Sequence, residues 1–323
     1  MADVFKNLTP LTEKINQIIV SLISSDAKEA ARVSGYNFQG GGKRLRPLIF
    51  CLMTEALGQP LTTARLEMSS AFEFLHMATL LHDDVVDKAE TRRGQLAAHL
   101  AFGVPEAVLA GDYLLAKAAL LGMETNNVEC VKIMCNVVRD LSLGELIQLD
   151  VRHQAYLTEE EYFKIIYCKT AALIEGAAKT AAILAEADEK SIEAAASYGR
   201  YFGLAFQIVD DILDYQGELA TFGKPVGHDL DEGKITLPFI RARNTLAENE
   251  AERLCTLARQ EKISPVDHSE IRSLVDRAGG TALARLKVDE LSREAVNALA
   301  VFQPSPARDL LEALAIASIA RTH

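Results

Sequence analysis

The segment Leu80-Leu-His-Asp83-Asp84-Val-Val-Asp87 carries three carboxylates within five residues. On an α-helix, residues four apart share a face, one turn or about 5.4 Å along the axis. Asp83 and Asp87 therefore stack, with Asp84 alongside. Carboxylates this close repel one another, and a helix C-terminus adds further negative potential. A cation answers both. Magnesium suits the site, because it takes oxygen ligands, keeps waters and is completed by substrate phosphates. The pattern returns in Phe206-Gln207-Ile-Val-Asp210-Asp211-Ile-Leu-Asp214-Tyr215. One such motif alone reads as a solvated helix end. Two with the same spacing, each closing a long apolar run, read as paired metal sites.

Cations for an anionic ligand stand nearby in the sequence. Lys43, Arg44 and Arg46 follow three glycines, Gly40 to Gly42, whose backbone amides can approach an anion closely. This is not a Walker A loop, since Arg44 stands where Ser or Thr is required and the glycine spacing fails. Arg92 and Arg93 follow the first aspartate motif, and Lys169, Lys224 and Lys234 lie in the second half. His76, seven residues before Asp83, falls on nearly the same helix face and fits either a core histidine or a pocket residue. No G-x-S-x-G, no H-E-x-x-H and no Cys/His pair accompanies them. The chemistry falls to metal, diphosphate and cations rather than to a side-chain nucleophile.

Helices must present these groups. Apolar residues recur at three- and four-residue spacing almost throughout, and alternating β-branched runs are scarce. Long helices are predicted from Leu61 to Asp87, Val128 to Leu149, Glu159 to Ala187 and Ile192 to Tyr215. Thr158 with Glu161 forms a capping box. Pro105 opens one helix, and Thr9 with Pro10 marks the start of another. Gly35 to Pro47 and Gly223 to Lys234 read as irregular loops, where chemistry tends to sit. The fold class is all-α. No linker or low-complexity block divides the chain, so residues 1–323 are read as a single domain, and no period of about 30 to 45 residues marks a repeat array.

Composition excludes other classes. Of 323 residues 49% are hydrophobic and 24% charged, which provides ample material for a core. The net charge of −11 disfavours nucleic acid, whose phosphates need clustered Lys and Arg. Five cysteines without a C-x-x-C pair read as reduced thiols rather than a disulfide or zinc framework. No segment reaches the roughly 18 apolar residues of a membrane span, no signal-peptide pattern is present, and a cytoplasmic location is expected.

These motifs together resemble the all-trans polyprenyl diphosphate synthases, and within them the long-chain bacterial enzymes that make quinone side chains (octaprenyl and decaprenyl types). The likeness runs from about Gly40 to Pro238 and rests on GGKRLRP, LLHDDVVD with RRG after it, Gly111-Asp112, Lys169-Thr170, FQIVDDILD and GKPVGHDLDEGKITLP. It implies one large helical bundle of the isoprenoid synthase type with a central cavity, acting as a homodimer. Lys43, Arg46, His76 and Arg93 then look like the pocket for isopentenyl diphosphate. Arg92, Lys169, Thr170, Gln207, Lys224 and Lys234 look like the side of the allylic diphosphate, farnesyl or geranylgeranyl. Asp83, Asp87 and Asp210 become the principal magnesium ligands, with Asp84, Asp211 and Asp214 supporting, and three ions with bound diphosphate are expected. Together with Lys169 and Lys224 these three aspartates form the catalytic set, and Asp229 orients Lys224 or Lys234. The second motif is not degenerate, which speaks against a non-catalytic subunit.

The same resemblance implies head-to-tail condensation through an allyl cation, five carbons at a time. In short-chain relatives bulky aromatics near the position of Ala78 block the tunnel. Ala78, Thr79 and, two turns further, Ala71 are small, so an open tunnel and a product of about C40 to C50 are expected, with Met123 or Met134 as floor. The alternatives are a geranylgeranyl- or farnesyl-length synthase, a terpene cyclase, whose second metal motif has a different composition, and a helical binding protein without catalysis. The lipophilic product allows peripheral contact with a membrane but no span.

Overall fold

The computed structural model describes residues 2–24, 28–39, 41–216 and 227–319. Helices α1 (Ala2–Ser24), α2 (Lys28–Gln39), α3 (Leu45–Ala56) and α4 (Thr63–Val86) come first. A two-residue hairpin follows, β1 (Thr91–Arg92) and β2 (Gln95–Leu96), and it holds the only strands among the described residues. Next come α5 (Ala98–Phe102), α6 (Val104–Glu124), α7 (Val128–Asp150) and α8 (Glu159–Ile166). A π-helical turn, Tyr167–Ala171, leads into α9 (Ala172–Leu184) and α10 (Glu189–Gln216). The chain closes with α11 (His228–Asp231), α12 (Leu237–Thr245), α13 (Glu248–Ala258), α14 (Pro265–Arg277), α15 (Gly280–Ala298) and α16 (Pro306–Ile319).

Helix boundaries follow side-chain chemistry. Thr62 accepts from the Arg65 amide at the start of α4, Asn127 from the Glu129 amide at the start of α7, and the Thr158–Glu161 capping box opens α8. Pro105 occupies the first turn of α6, where its missing N–H costs nothing. Two expectations need correcting. Pro10 does not open a helix but lies inside α1, and Thr9 donates its hydroxyl to the Phe5 carbonyl instead of capping. The helix persists across Pro10 because Leu8, Ile15, Ile19 and Ile23 form one buried stripe, each worth about 1.5–3 kcal/mol, enough to offset one lost backbone bond. The glycine-bearing loop is also shorter than the sequence implied. Residues Gly35 to Gln39 belong to α2, Leu45 already opens α3, and the intervening backbone carries positive φ at Gly41, Gly42 and Arg44.

α9 lies at the centre, with apolar or small residues buried all round it, from Ala172 to Ala182. It packs on α3, α7 and α10. Two apolar clusters form around this axis. One joins α1, α3, α4, α6, α9, α16 and the first half of α10, whose Tyr198 and Phe202 rings stack at 5.9 Å. The other joins α8, α12 to α15 and the second half of α10. α10 thus runs through both, and α4 lies along α6.

Small residues set how closely α10 approaches its neighbours. A Cβ on Gly203 would sit 2.5 Å from the Ala171 Cα, and one on Gly199 would sit 2.7 Å from the Glu175 Cα. Both obstacles are backbone and cannot swing aside. The π-helical turn ends at Ala171, so Gly203 determines where Lys169 and Thr170 stand relative to α10. Gly203→Ala should therefore cost about 1–3 kcal/mol by forced backbone separation, read as a lower urea midpoint with an unchanged slope.

Candidate active site

A cavity of about 980 Å³ opens between the Gly42–Arg44 loop, α3, α4, the β1–β2 hairpin, α6, α7, the π-helical turn and α10. Its polar lining includes Lys43, Arg46, Glu73, His76, Asp83, Arg92, Arg93, Glu145, Lys169, Thr170, Gln207 and Asp210. Its apolar lining comes from Leu115 on α6, from Val138, Leu141, Leu146 and Leu149 on α7, and from Phe206 on α10. Both aspartate motifs, numbered more than a hundred residues apart, thus contribute to one cavity.

The first motif occupies the C-terminal end of α4, with Asp87 as the capping residue. Asp83 faces the cavity. Burial, helped by the Glu145 and Asp87 carboxylates and opposed by Lys169 and Arg92, pushes its pKa up to about 7. Asp84, only 1% exposed, is turned to Arg92, whose Nε donates to its Oδ1 at 2.8 Å and whose Nη2 makes a second contact. Asp87 accepts from Arg152 Nη2 at 2.6 Å. Gly111, on α6, gives His82 its place beside this motif, since a Cβ there would lie 2.2 Å from His82 Nε2. That is the physical reason for the glycine of Gly111-Asp112.

Arg92 and Arg93 do not continue a helix. Thr91 pairs with Leu96 and Arg92 with Gln95, leaving Arg93-Gly94 as a two-residue turn with φ of 52° and 75°. That geometry belongs to hairpins whose turn residues both take positive φ. The turn leans on the glycine loop through an Arg93–Gly41 carbonyl contact. The loop itself is held by Arg44, in left-handed conformation at φ 51°. Its guanidinium bonds Glu73 at 3.0 Å, Asn16 at 2.9 Å and the Phe38 carbonyl at 3.1 Å. Arg44 is therefore a buried strut tying α1, α2 and α4 to the loop, and it borders the cavity beside Lys43 and Arg46. Burial lowers the Arg46 pKa to about 10, with Glu73 opposing and Arg93 assisting, so Arg46 stays charged near neutrality. His76 is half-buried, and loss of solvent together with the charges of Arg46, Arg93, Arg92 and Arg44 holds it well below the usual imidazole range, so it is neutral there.

Across the cavity, Asp210 lines the wall whereas Asp211 points into the protein. Tyr162 donates to Asp211 Oδ2 at 2.5 Å and Gln207 to its Oδ1 at 2.9 Å, while Thr170 donates to Gln207 Oε1 at 2.7 Å. Burial and the Asp229 carboxylate push Asp211 up to about 8. Asp214 accepts the amides of His228 and Asp229, both at 3.2 Å, and so anchors α11. Lys169 bonds Glu145 at 2.6 Å and Gln148 at 2.9 Å. Lys234 pairs with Glu232. Burial works against the charged form of Lys234, but Glu232, Asp229 and Asp87 outweigh it and raise its pKa. Lys234 and Asp229 line a smaller cavity of about 220 Å³ that shares Lys169 and Gln207 with the main one. Lys224 lies outside the described residues, and with it any contact to Asp229.

The residues expected to set product length divide. Thr79 lines the cavity, with its hydroxyl bonded to the His76 carbonyl. Ala78 and Ala71 are 0% exposed within the first apolar core and are not part of the cavity lining. Met134 is buried, but Met123 is 60% exposed, so it closes no tunnel within a single chain. Residues that sequence reasoning did not single out are Glu73, Glu145, Gln148, Arg152 and Tyr162. Glu73 and Glu145 carried a signal: each is an acid set in the apolar face of a long helix, and a buried charge needs a partner.

Among the described residues no cluster of three His, Cys, Asp or Glu side chains forms a ready-made metal cage. Asp83, Asp210 and Glu145 bring carboxylate oxygens to the cavity, and burial, with the Glu145 and Asp87 carboxylates adding to it, raises the Asp83 pKa. That combination fits magnesium with its remaining positions filled by water and phosphate oxygens.

The family model for polyprenyl synthetase matches residues 27–275. The octaprenyl diphosphate synthase of Escherichia coli is 35% identical, over 95% of this chain and 94% of the relative. A short chain isoprenyl diphosphate synthase of Methanothermobacter thermautotrophicus is 36% identical over the whole of both. Among solved structures, a polyprenyl synthase of Caulobacter crescentus complexed with calcium and isoprenyl diphosphate superposes with a TM-score of 0.91 at 34% identity, covering 100% of this chain and 98% of the other. A decaprenyl diphosphate synthase of Rhodobacter capsulatus does so with 0.91 at 31%, covering 100% and 99%. The fold and site define an all-helical isoprenoid synthase. The chain belongs to the polyprenyl synthetase family of prenyltransferases, for which magnesium dependence is typical.

A cation at Asp83 must displace a proton below about pH 7. Divalent-metal affinity should fall about tenfold per pH unit below that point, with proton release on binding, both measurable by titration calorimetry at pH 6 and 8. The sign for stability runs the other way in the metal-free protein. A carboxyl raised from 3.8 to about 7 holds its proton more tightly when folded, so its contribution declines as pH climbs through that window.

Proposed function

We propose that this protein condenses isopentenyl diphosphate head-to-tail onto an allylic diphosphate, farnesyl or geranylgeranyl, and repeats the step to a long all-trans polyprenyl diphosphate of about C40 to C50. The observation that carries this reading is a single cavity with two acidic helix ends, two sets of cations and an apolar wall. Asp83, Asp87 and Asp210 would hold magnesium, three ions in our reading. When bound, the metal supplies Lewis-acid stabilisation of the charge that grows on the departing diphosphate.

The chain's own groups do the rest. Lys43, Arg46 and Arg93 bind the diphosphate of the isopentenyl substrate. His76 is neutral beside them and can both donate and accept a hydrogen bond. Lys169, with Thr170 and Gln207, Lys234, which follows α11, and Lys224 bind the allylic diphosphate. Arg92, locked to Asp84, gives that side a fixed positive charge. The allylic C1–O bond breaks, the isopentenyl double bond attacks C1, and a proton leaves to the released diphosphate. Phe206 and the leucines of α7 give the cavity an apolar wall for the hydrocarbon of the allylic substrate.

We read the active form as a homodimer. Leu109, Leu120 and Met123 on α6 and Val128 and Leu143 on α7 are exposed apolar residues on two helices that pack on each other, the kind of surface a partner subunit covers. We also read residues 1–323 as one working unit, since α10 belongs to both cores, and place it in the cytoplasm as a supplier of quinone side chains. The free state of all five cysteines fits a reducing compartment.

Asp83→Ala should lower condensation of isopentenyl and farnesyl diphosphates by about a thousandfold or more, measured as diphosphate release with magnesium; near-normal turnover sinks the reading. Product sizing by chromatography of the dephosphorylated prenols distinguishes a long-chain enzyme from a short-chain one like the archaeal relative. Thr79→Phe should shorten that ladder. Ala78→Phe separates wall from core: a shortened product at unchanged stability makes Ala78 part of the tunnel, whereas a loss of about 1–3 kcal/mol with an unchanged ladder makes it core.

A further inference from the structure

Arg152 has no place in the reaction as described, yet it holds the last carboxylate of the first aspartate motif. It follows the end of α7 and donates from Nη2 to Asp87 Oδ1 at 2.6 Å. Its Nε is buried without a protein partner. Asp87 caps the C-terminus of α4, where the helix dipole and Asp83 both add negative potential. At this helix end, then, a guanidinium supplies part of the positive charge that the carboxylates call for.

The next residue fastens Arg152 to the opposite side of the site. His153 takes a left-handed conformation, φ 59°, and its backbone N–H donates to the Gly233 carbonyl at 2.8 Å. Gly233, at φ 73°, leaves room for the His153 ring, which a Cβ would meet at 2.7 Å. Lys234 comes immediately after. The turn through Arg152 and His153 therefore joins the first aspartate motif to the loop that carries Lys234.

We propose that Arg152 is a displaceable counter-cation of Asp87: it neutralises the carboxylate while no metal is bound and must release it when a divalent ion arrives. This rests on the reading of Asp87 as a magnesium ligand. The pair is partly solvated, at 31% and 20% side-chain exposure, and pairs of that kind are weak enough to give way to a divalent ion. Such an arrangement keeps the acidic helix end from binding metal strongly on its own, so that loading waits for a ligand that brings phosphate oxygens.

The test is metal binding, not turnover. Mn²⁺ alone, without diphosphate, is titrated into the full chain and followed by electron paramagnetic resonance for the wild type, Arg152→Gln, Arg152→Lys and Asp87→Asn. Arg152→Gln should bind Mn²⁺ about two- to fivefold more tightly, the size expected for removing one partly exposed competing ion pair, and Arg152→Lys should stay near the wild type. Merely structural damage would loosen binding, so the tightening is diagnostic. If Asp87→Asn weakens binding while Arg152→Gln leaves it unchanged or weaker, the counter-cation role falls and the metal reading stands. If Asp87→Asn binds Mn²⁺ like the wild type, the metal reading itself falls, and the role of Arg152 with it.

Discussion

Mutual repulsion among carboxylates at two helix C-termini is the constraint to which the rest of this structure responds. α4 and α10 each end in three aspartates, and at a helix end the backbone dipole works against them. The described structure answers aspartate by aspartate. Asp84 is matched by Arg92, Asp87 by Arg152, Asp211 by Tyr162 and Gln207, and Asp214 by the amides that open α11. Asp83 faces the cavity instead, its pKa pushed toward neutrality by burial first and by the Glu145 and Asp87 carboxylates after it. Three-residue motifs thus separate into members that build the scaffold and members that face the cavity.

Close helix packing makes that separation possible. Gly203 brings α10 against the π-helical turn, and Gly144 on α7 approaches the same turn so closely that a Cβ would lie 2.8 Å from the Cys168 Cβ and the Lys169 Cγ. The turn aims Lys169 at Glu145 and Gln148 on α7. Such wide turns cost hydrogen-bond geometry and recur at functional sites. Gly111 does the same for α4 and α6 by admitting His82. Small residues here place charges, because a helix moved by one methyl group moves every side chain on it.

Cations are positioned by two devices of different kind. Arg44 is neutralised by Glu73 and bonded to three other segments, so it fixes the loop on which Lys43 and Arg46 stand. Arg93 sits in a tight hairpin turn whose dihedrals leave it little freedom. A ligand meeting these groups would find them already oriented, which lowers the ordering cost of binding.

Much of this was legible in the sequence because it depends on local rules. Helical periodicity identified the all-α class and the spans of α4, α7 and α10 within a few residues, and the i, i+4 spacing put Asp83 and Asp87 on one face. Pro10 misled because burial of distant residues overrode a local start signal, and the hairpin that carries Arg92 and Arg93 left no mark, because two-residue strands are too short for a pattern to show.

Which aspartate faces the cavity and which cation is a strut are decided by partners far along the chain: Arg152 for Asp87, Tyr162 for Asp211, Glu73 for Arg44. No periodicity encodes a partner 65 or 49 residues away. The sequence by itself determined the helices and the chemistry they carry, since propensity and spacing act within a few turns. Only the tertiary structure decided which of those groups is free to meet a substrate, since burial and charge pairing act across the fold.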